Sequence, residues 1–186
     1  MKDNRRICPA ERAGGLDNSA RKIFQNPRKI LKSYINEGMI VLDMGCGPGF
    51  FTSEIAKMLK NSGKVIAADL QQGMLDRLKK KINGTDLEKR IQLHKCEESK
   101  IGLSENVDFI LCFYMVHEVP DQSGFFRELR SILNPGGKIF IVEPDFHVSK
   151  RSFEEMIQKA SETGFEIIER PGIFFSRSVI LIGRDQ

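Results

Sequence analysis

Val41-Leu42-Asp43-Met44-Gly45-Cys46-Gly47-Pro48-Gly49-Phe50-Phe51 decides how this chain folds. Met39 to Leu42 reads as a short buried strand, and the glycines end it. Phe51 to Leu59 then reads as an amphipathic helix, with Phe51, Ile55, Met58 and Leu59 on one face. A strand that enters a glycine-rich turn opening a helix sets unpaired helix N–H groups beside bare backbone, an arrangement suited to holding a ligand. Three glycines at alternate positions exceed what a tight turn needs.

The pattern repeats downstream. Lys64 to Ala68 is the next strand and Gln72 to Ile82 the next helix. Ile91 to His94 is a third strand, and Val107 to Phe113 a fourth, apolar enough to be covered on both faces. Asp121 to Leu133 reads as a helix stopped by Asn134-Pro135-Gly136-Gly137, and Lys138 to Val142 as a fifth strand. A helix over Ser152 to Thr163 and two closely spaced strands, Phe165 to Glu169 and Ser178 to Ile182, complete the chain. Alternating strands and helices give a parallel sheet with right-handed crossovers. The last two strands are too close for a helical crossover and should pair antiparallel. The expected class is α/β: a doubly wound sheet of seven mostly parallel strands, helices on both faces, and an antiparallel C-terminal hairpin.

Two ligand classes use such a glycine loop. Dinucleotide enzymes carry G-x-G-x-x-G, whereas this loop is G-x-G-x-G with no third glycine at that spacing. Asp43, two residues before the first glycine, would repel a pyrophosphate and would suit a ligand bearing an amino group and a sulfonium charge. Asp69, 20 residues past Gly49 at the end of the second strand, is placed to accept hydrogen bonds from both hydroxyls of a ribose.

Several ordered motifs together resemble the class I S-adenosylmethionine-dependent methyltransferases, with the Rossmann-like sheet which that implies. They are the Val41-to-Gly49 loop, Val65-Ile66-Ala67-Ala68-Asp69, Val107-Asp108-Phe109-Ile110-Leu111-Cys112 followed by Met115-Val116-His117-Glu118-Val119, and Leu129 to Lys138 around Asn134-Pro135-Gly136-Gly137. Within that family the chain is most similar to the ubiquinone/menaquinone C-methyltransferase-like branch. The resemblance implies that Gly45, Cys46, Gly47 and Gly49 line the methionine part of S-adenosylmethionine, that Asp43 orients its amino group, and that Asp69 holds the ribose. It further implies that Leu70 and Met74 sandwich the adenine and that Cys112 and Phe113 mark the strand end facing the methionine moiety. Where relatives commonly have an aspartate that reads the adenine amino group, this chain has Cys96 followed by Glu97, which would substitute.

Methyl transfer from a sulfonium is an in-line displacement, so alignment and proton removal are what a protein supplies. Candidate groups lie at the C-terminal ends of strands four and five. His117 titrates near neutrality and is the first choice of base, with His147 and Glu143 behind it. Tyr114 and Glu118 are candidate acceptor contacts. Glu143, Asp145, His147 and His117 match no dedicated ligand spacing, and no metal is expected.

Residues 1–36 carry nine Lys/Arg against three Asp/Glu, and the remaining residues twenty against twenty-two. Residues 1–36 are therefore expected to form a basic helical arm, and 37–186 the cofactor-binding domain. The arm, from Cys8 to Ile35, is expected to close over the cofactor as a lid. Cys8-Pro9 at its start would bring a thiolate near the transferable methyl, the basis for a thiol or soft-metalloid acceptor. The four cysteines form no C-x-x-C pair and read as free thiols. The longest apolar run, Phe109 to Val116, is too short to span a membrane, and Met1 to Arg6 leads into no apolar signal region, so a cytoplasmic protein is expected.

The reading is a methyltransferase acting on a small-molecule acceptor, as monomer or homodimer. The arm lacks interleaved aromatic and basic residues, and Cys112-Phe113-Tyr114-Met115 stands where base-methylating enzymes carry Asp/Asn-Pro-Pro-Tyr/Phe, so nucleic acid is not expected as a partner. The alternatives are an RNA or protein methyltransferase that uses the arm and a non-catalytic S-adenosylmethionine-binding regulator.

Overall fold

The computed structural model describes residues 25–60 and 62–184. Its sheet is built from β1 (Ile40–Met44), β2 (Lys64–Asp69), β3 (Ile91–Lys95), β4 (Val107–Phe113), β5 (Leu133–Pro144), β6 (Phe165–Glu169) and β7 (Ser176–Gly183). These stand in the order β3-β2-β1-β4-β5-β7-β6. β1 to β5 run parallel, while β7 is antiparallel to both β5 and β6. Among the described residues the α-helices are α1 (Pro27–Leu31), α2 (Thr52–Met58), α3 (Gln72–Ile82), α4 (Gln122–Ile132) and α5 (Lys150–Glu162).

The two-residue period of the strands divides their side chains between two cores. Leu42, Met44, Ile66, Ala68, Ile110, Cys112, Ile139 and Ile141 join Phe126 and Leu129 of α4 and Phe153 and Met156 of α5. Val41, Val65, Ala67, Phe109, Leu111, Phe140 and Val142 join Leu31 of α1, Ile55 of α2, and Leu75 and Leu78 of α3. Both faces are covered, which is why the central strands read as unbroken apolar runs.

One expectation changes. Asn134-Pro135-Gly136-Gly137 does not stop before the strand but lies within β5. The ladder steps from Val107↔Leu133 to Phe109↔Lys138, so these residues are carried as an irregularity. It is held by Asp108, whose side chain accepts from Asn134 Nδ2 (2.7 Å) and from the Ile40 N–H (2.8 Å). The C-terminal hairpin is β6–β7, antiparallel as expected, with β7 beside β5 and β6 at the edge.

Within the expected arm, α1 ends at Leu31, and the residues around it belong to the body. Leu31 and Ile35 are buried in the second core, Tyr34 packs on Phe109 and Phe140 (ring centroids 6.2 and 5.3 Å), and its hydroxyl donates to Glu169 (3.0 Å). Residues 27–35 are therefore part of the sheet's covering layer. Cys8 and the rest of the arm to residue 24 lie outside the described residues. Among the described residues, no helix is long and apolar enough to cross a membrane.

Candidate active site

The sheet reverses its winding between β1 and β4, and a crevice opens beyond the carboxyl ends of such neighbouring strands. There a cleft of about 920 Å³ is lined by the glycine loop, the ends of β2 and β4, residues 96–101 and one side of α4. A second hollow, of about 690 Å³ near Ile40, Lys64 and Arg90, lies at the opposite end of the strands and gathers none of these groups.

Backbone hydrogen bonds shape the loop. The N–H groups of Gly45 and Cys46 both donate to the Ala68 carbonyl (2.8 and 3.0 Å), tying the end of β1 to β2. Asp69 completes the tie, accepting from Gly47 N–H through Oδ2 (2.9 Å) and from Gln71 N–H through Oδ1 (2.7 Å). Burial raises the Asp69 pKa above the ordinary carboxylate value, and the Gln71 and Gly47 N–H bonds and nearby Lys95 partly offset it.

The glycines divide the work. Gly47 has φ +54°, and a Cβ there would meet nothing within 4 Å, so its backbone lies open to the cleft. Gly49 does not line the cleft; at φ +83° a Cβ would overlap Leu78 of α3, so the bare backbone lets that helix pack close. Gly45 faces Met115, 2.9 Å from an added Cβ.

Asp43 is almost fully buried and accepts from the Thr52 hydroxyl at 2.5 Å, a contact the sequence reading missed. A hydroxyl residue one position into the helix after the glycine loop was the available signal. Thr52→Val should cost about 1–3 kcal/mol of stability, because a buried carboxylate oxygen loses its donor. Urea denaturation measures it, and Thr52→Ser should restore most of the loss.

Leu70, Met74, Cys96 and Glu97 also line the cleft. Cys96 donates its N–H to the Asp69 carbonyl (3.0 Å), and Glu97 pairs with Lys100 in a tight turn. The sequence reading missed Ile101, Phe125 and Glu128 of the same wall. Glu128 holds the wall by accepting from the Ile101 and Gly102 N–H groups (2.9 and 2.8 Å), and nothing in its helix pattern marks it. Burial, followed by the nearby Asp69 charge, pushes the Cys96 thiol up to about 12. Burial, then Asp43 and Asp69, pushes Cys46 well up too. Both stay neutral thiols near pH 7. Cys112 is wholly buried in the first core and does not line the cleft.

Phe113 and Tyr114 do line it. With Phe50 and Phe51 they form a row of rings whose successive centroids are 5.2, 4.2 and 4.5 Å apart. Tyr114 sits at φ +62°, sparsely populated for a side-chain-bearing residue. Its hydroxyl accepts from Gln25 Nε2 (2.5 Å) and shares a hydrogen bond with Ser176 Oγ (2.6 Å).

His117, Glu143 and His147 come together, but behind the cleft. Glu143 is fully buried and takes Nδ1 of His117 at 2.5 Å, and the His147 ring lies edge-on to His117 (4.9 Å). Glu118 lines the cleft, whereas His117, Glu143 and His147 do not. Among the described residues, no group of three or more His, Cys, Asp or Glu is placed to hold a metal ion.

These residues fit an amino-acid nucleoside. Asp69 lines the cleft, the open face of Gly47 admits close approach, and Leu70, Met74, Ile101 and Phe125 offer apolar walls for a base.

Comparison with known proteins agrees. Residues 41–137 match the family described as "Methyltransferase domain". The chain is 34% identical over 130 residues to a demethylmenaquinone methyltransferase of Lactobacillus johnsonii, covering 69% of this chain and 51% of that one. It is 26% identical over 141 residues to the ubiquinone/menaquinone biosynthesis C-methyltransferase UbiE of Cronobacter sakazakii, covering 75% and 55%. The chain thus spans about half the length of the curated relatives it matches. The crystal structure of a SAM dependent methyltransferase from Aquifex aeolicus superimposes with a TM-score of 0.85 at 29% identity, covering 94% of this chain and 98% of that one.

Proposed function

The chain belongs to the class I S-adenosylmethionine-dependent methyltransferases, and from that premise we propose that it transfers the sulfonium methyl group to a small apolar acceptor of quinone type. The observation that carries the acceptor is the row Phe50, Phe51, Phe113 and Tyr114, which continues the cofactor half of the cleft as an aromatic wall. A flat, largely apolar ring gains contact area and favourable ring geometry on such a wall. The names of the two curated relatives, demethylmenaquinone methyltransferase and ubiquinone/menaquinone C-methyltransferase, point the same way.

When bound, S-adenosylmethionine supplies a methyl group on a good leaving group. The protein's part is to orient and to keep water out. Asp69 and the Gly47 backbone would hold the ribose, and Asp43 the amino-acid end. Leu70 and Met74 would flank the adenine, and Tyr114 with Phe113 would set the acceptor's plane. Alignment of this kind is worth about 7–11 kcal/mol of barrier.

Calorimetric titration with S-adenosylhomocysteine and with NAD, then incubation with S-adenosylmethionine and reduced 1,4-naphthoquinone, tests the reading. Micromolar S-adenosylhomocysteine binding, no NAD binding and a methylated naphthoquinol are expected. Binding of NAD alone would overturn the cofactor. Tight S-adenosylhomocysteine binding without a methylated quinol would overturn the acceptor class.

A further inference from the structure

We propose that Glu118 is the catalytic base of this site and that His117, held by Glu143, stands behind it as the group that receives the proton Glu118 takes from the acceptor. The proposal rests on the methyltransferase reading above.

Glu143 lies on β5 with its side chain wholly out of solvent. A buried carboxylate is tolerated only when donors surround it. Here Oε1 accepts from the N–H groups of Val116 and His117 (2.8 and 3.2 Å), and Oε2 takes His117 Nδ1 (2.5 Å). An ionised carboxylate only accepts, so Nδ1 carries the hydrogen and the neutral ring keeps its lone pair on Nε2. Nε2 stands 4.0 Å from Glu118 Oε1, within ion-pair range. Three titratable groups face the imidazole: Glu143 from β5, Glu118 from its own turn, and His147 from the segment after β5. Burial opposes charge on His117, but the Glu143 hydrogen bond and the charges of Glu143 and Glu118 outweigh it and raise its pKa above the ordinary 6.5.

Position separates the roles, since only Glu118 of this group reaches the cleft. As the acceptor atom bonds the methyl carbon, the sulfur–carbon bond breaks and its electron pair stays on sulfur. The acceptor's proton passes to the Glu118 carboxylate and on to His117 Nε2. The resulting imidazolium is neutralised by Glu143, whose own proton count is unchanged. Glu118 leaves the step ionised, and the part-exposed imidazolium gives its proton to solvent before the next turnover.

The test uses the full chain with bound S-adenosylhomocysteine and follows the histidine ring signals by NMR against pH. The pH profile of reduced 1,4-naphthoquinone methylation is recorded alongside. In the wild type His117 should titrate above 6.5. Glu118→Gln should lower that midpoint measurably and cut kcat about 100-fold or more, with KM and S-adenosylhomocysteine affinity little changed. Glu118→Asp should recover part of kcat.

The imidazole must be neutral to take the proton, so activity rises with pH through its titration. Glu143→Gln lowers that titration and should carry the acid limb of kcat to lower pH with it. The Glu118 variants, altering a half-buried side chain, keep the test open should Glu143→Gln fail to fold. An His117 midpoint unmoved by Glu118→Gln, or a kcat within threefold of wild type, overturns the proposal. If S-adenosylhomocysteine binds but the quinol is not methylated, the acceptor class fails separately, and the NMR midpoint still decides the Glu118–His117 coupling.

Discussion

Asp69→Ala is expected to weaken S-adenosylhomocysteine binding about 100-fold, the larger of two site-directed effects. Asp69 closes the glycine loop through Gly47 and Gln71 N–H and presents its remaining lone pairs to the cleft. Hydrogen bonds to a charged group are each worth about 1.5–3 kcal/mol, and losing two to a ribose removes about 3 kcal/mol or more. The substitution also releases the Gly47 N–H that shapes the loop. Calorimetry at pH 7.5 measures the loss, and a change below threefold would remove Asp69 from the cofactor site.

The effect has a pH signature. Because burial raises the Asp69 pKa in the fold, ionising it costs native stability as pH climbs from the ordinary carboxylate value through the raised one. Ligand hydroxyls favour the ionised form, so binding should weaken as pH falls through that raised value. Asp69→Ala should abolish this acid-side decline.

The second large effect separates two neighbouring glycines. Gly49→Ala should destabilise the fold by about 3 kcal/mol. A left-handed backbone costs a side-chain-bearing residue roughly 1–2 kcal/mol, and overpacking against Leu78 adds about 1–3 kcal/mol. For a chain of this size that is roughly a 6–12 °C fall in Tm. Gly47→Ala meets no neighbour and should lower Tm by only a few degrees, yet it sets a methyl group in the cleft and should weaken S-adenosylhomocysteine at least tenfold. Thermal melts and calorimetry on the pair read both quantities. Equal loss of stability in the two variants would defeat this division of labour.

The alternation Val41, Leu42, Asp43, Met44 carries its own instruction. A two-residue period sends Val41 to one core and Leu42 and Met44 to the other, wherever the strand lies in the sheet. The same holds for Val65 to Ala68 and for Phe109 to Cys112, so strands, crossover helices and ligand class were legible from local pattern and motif. The helix Gln72 to Ile82 was legible to its ends.

What local pattern could not carry is which side chains meet across distance. Gly47 and Gly49 are indistinguishable in the sequence; one opens on the cleft and the other on Leu78 because α3 packs where it does. Tyr34 and Ile35 follow α1 directly, and it is packing into the second core that holds them. His117 and Glu143 are 26 residues apart, and only the pairing of β4 with β5 brings the buried carboxylate under the imidazole. Glu118, an acceptor contact expected from the sequence, lines the cleft, whereas His117 beside it does not. Periodicity and glycine spacing act within a few residues and so are written in the chain. Burial, hydrogen-bond partners and the pKa shifts that follow from them belong to atoms that become neighbours only when the sheet closes.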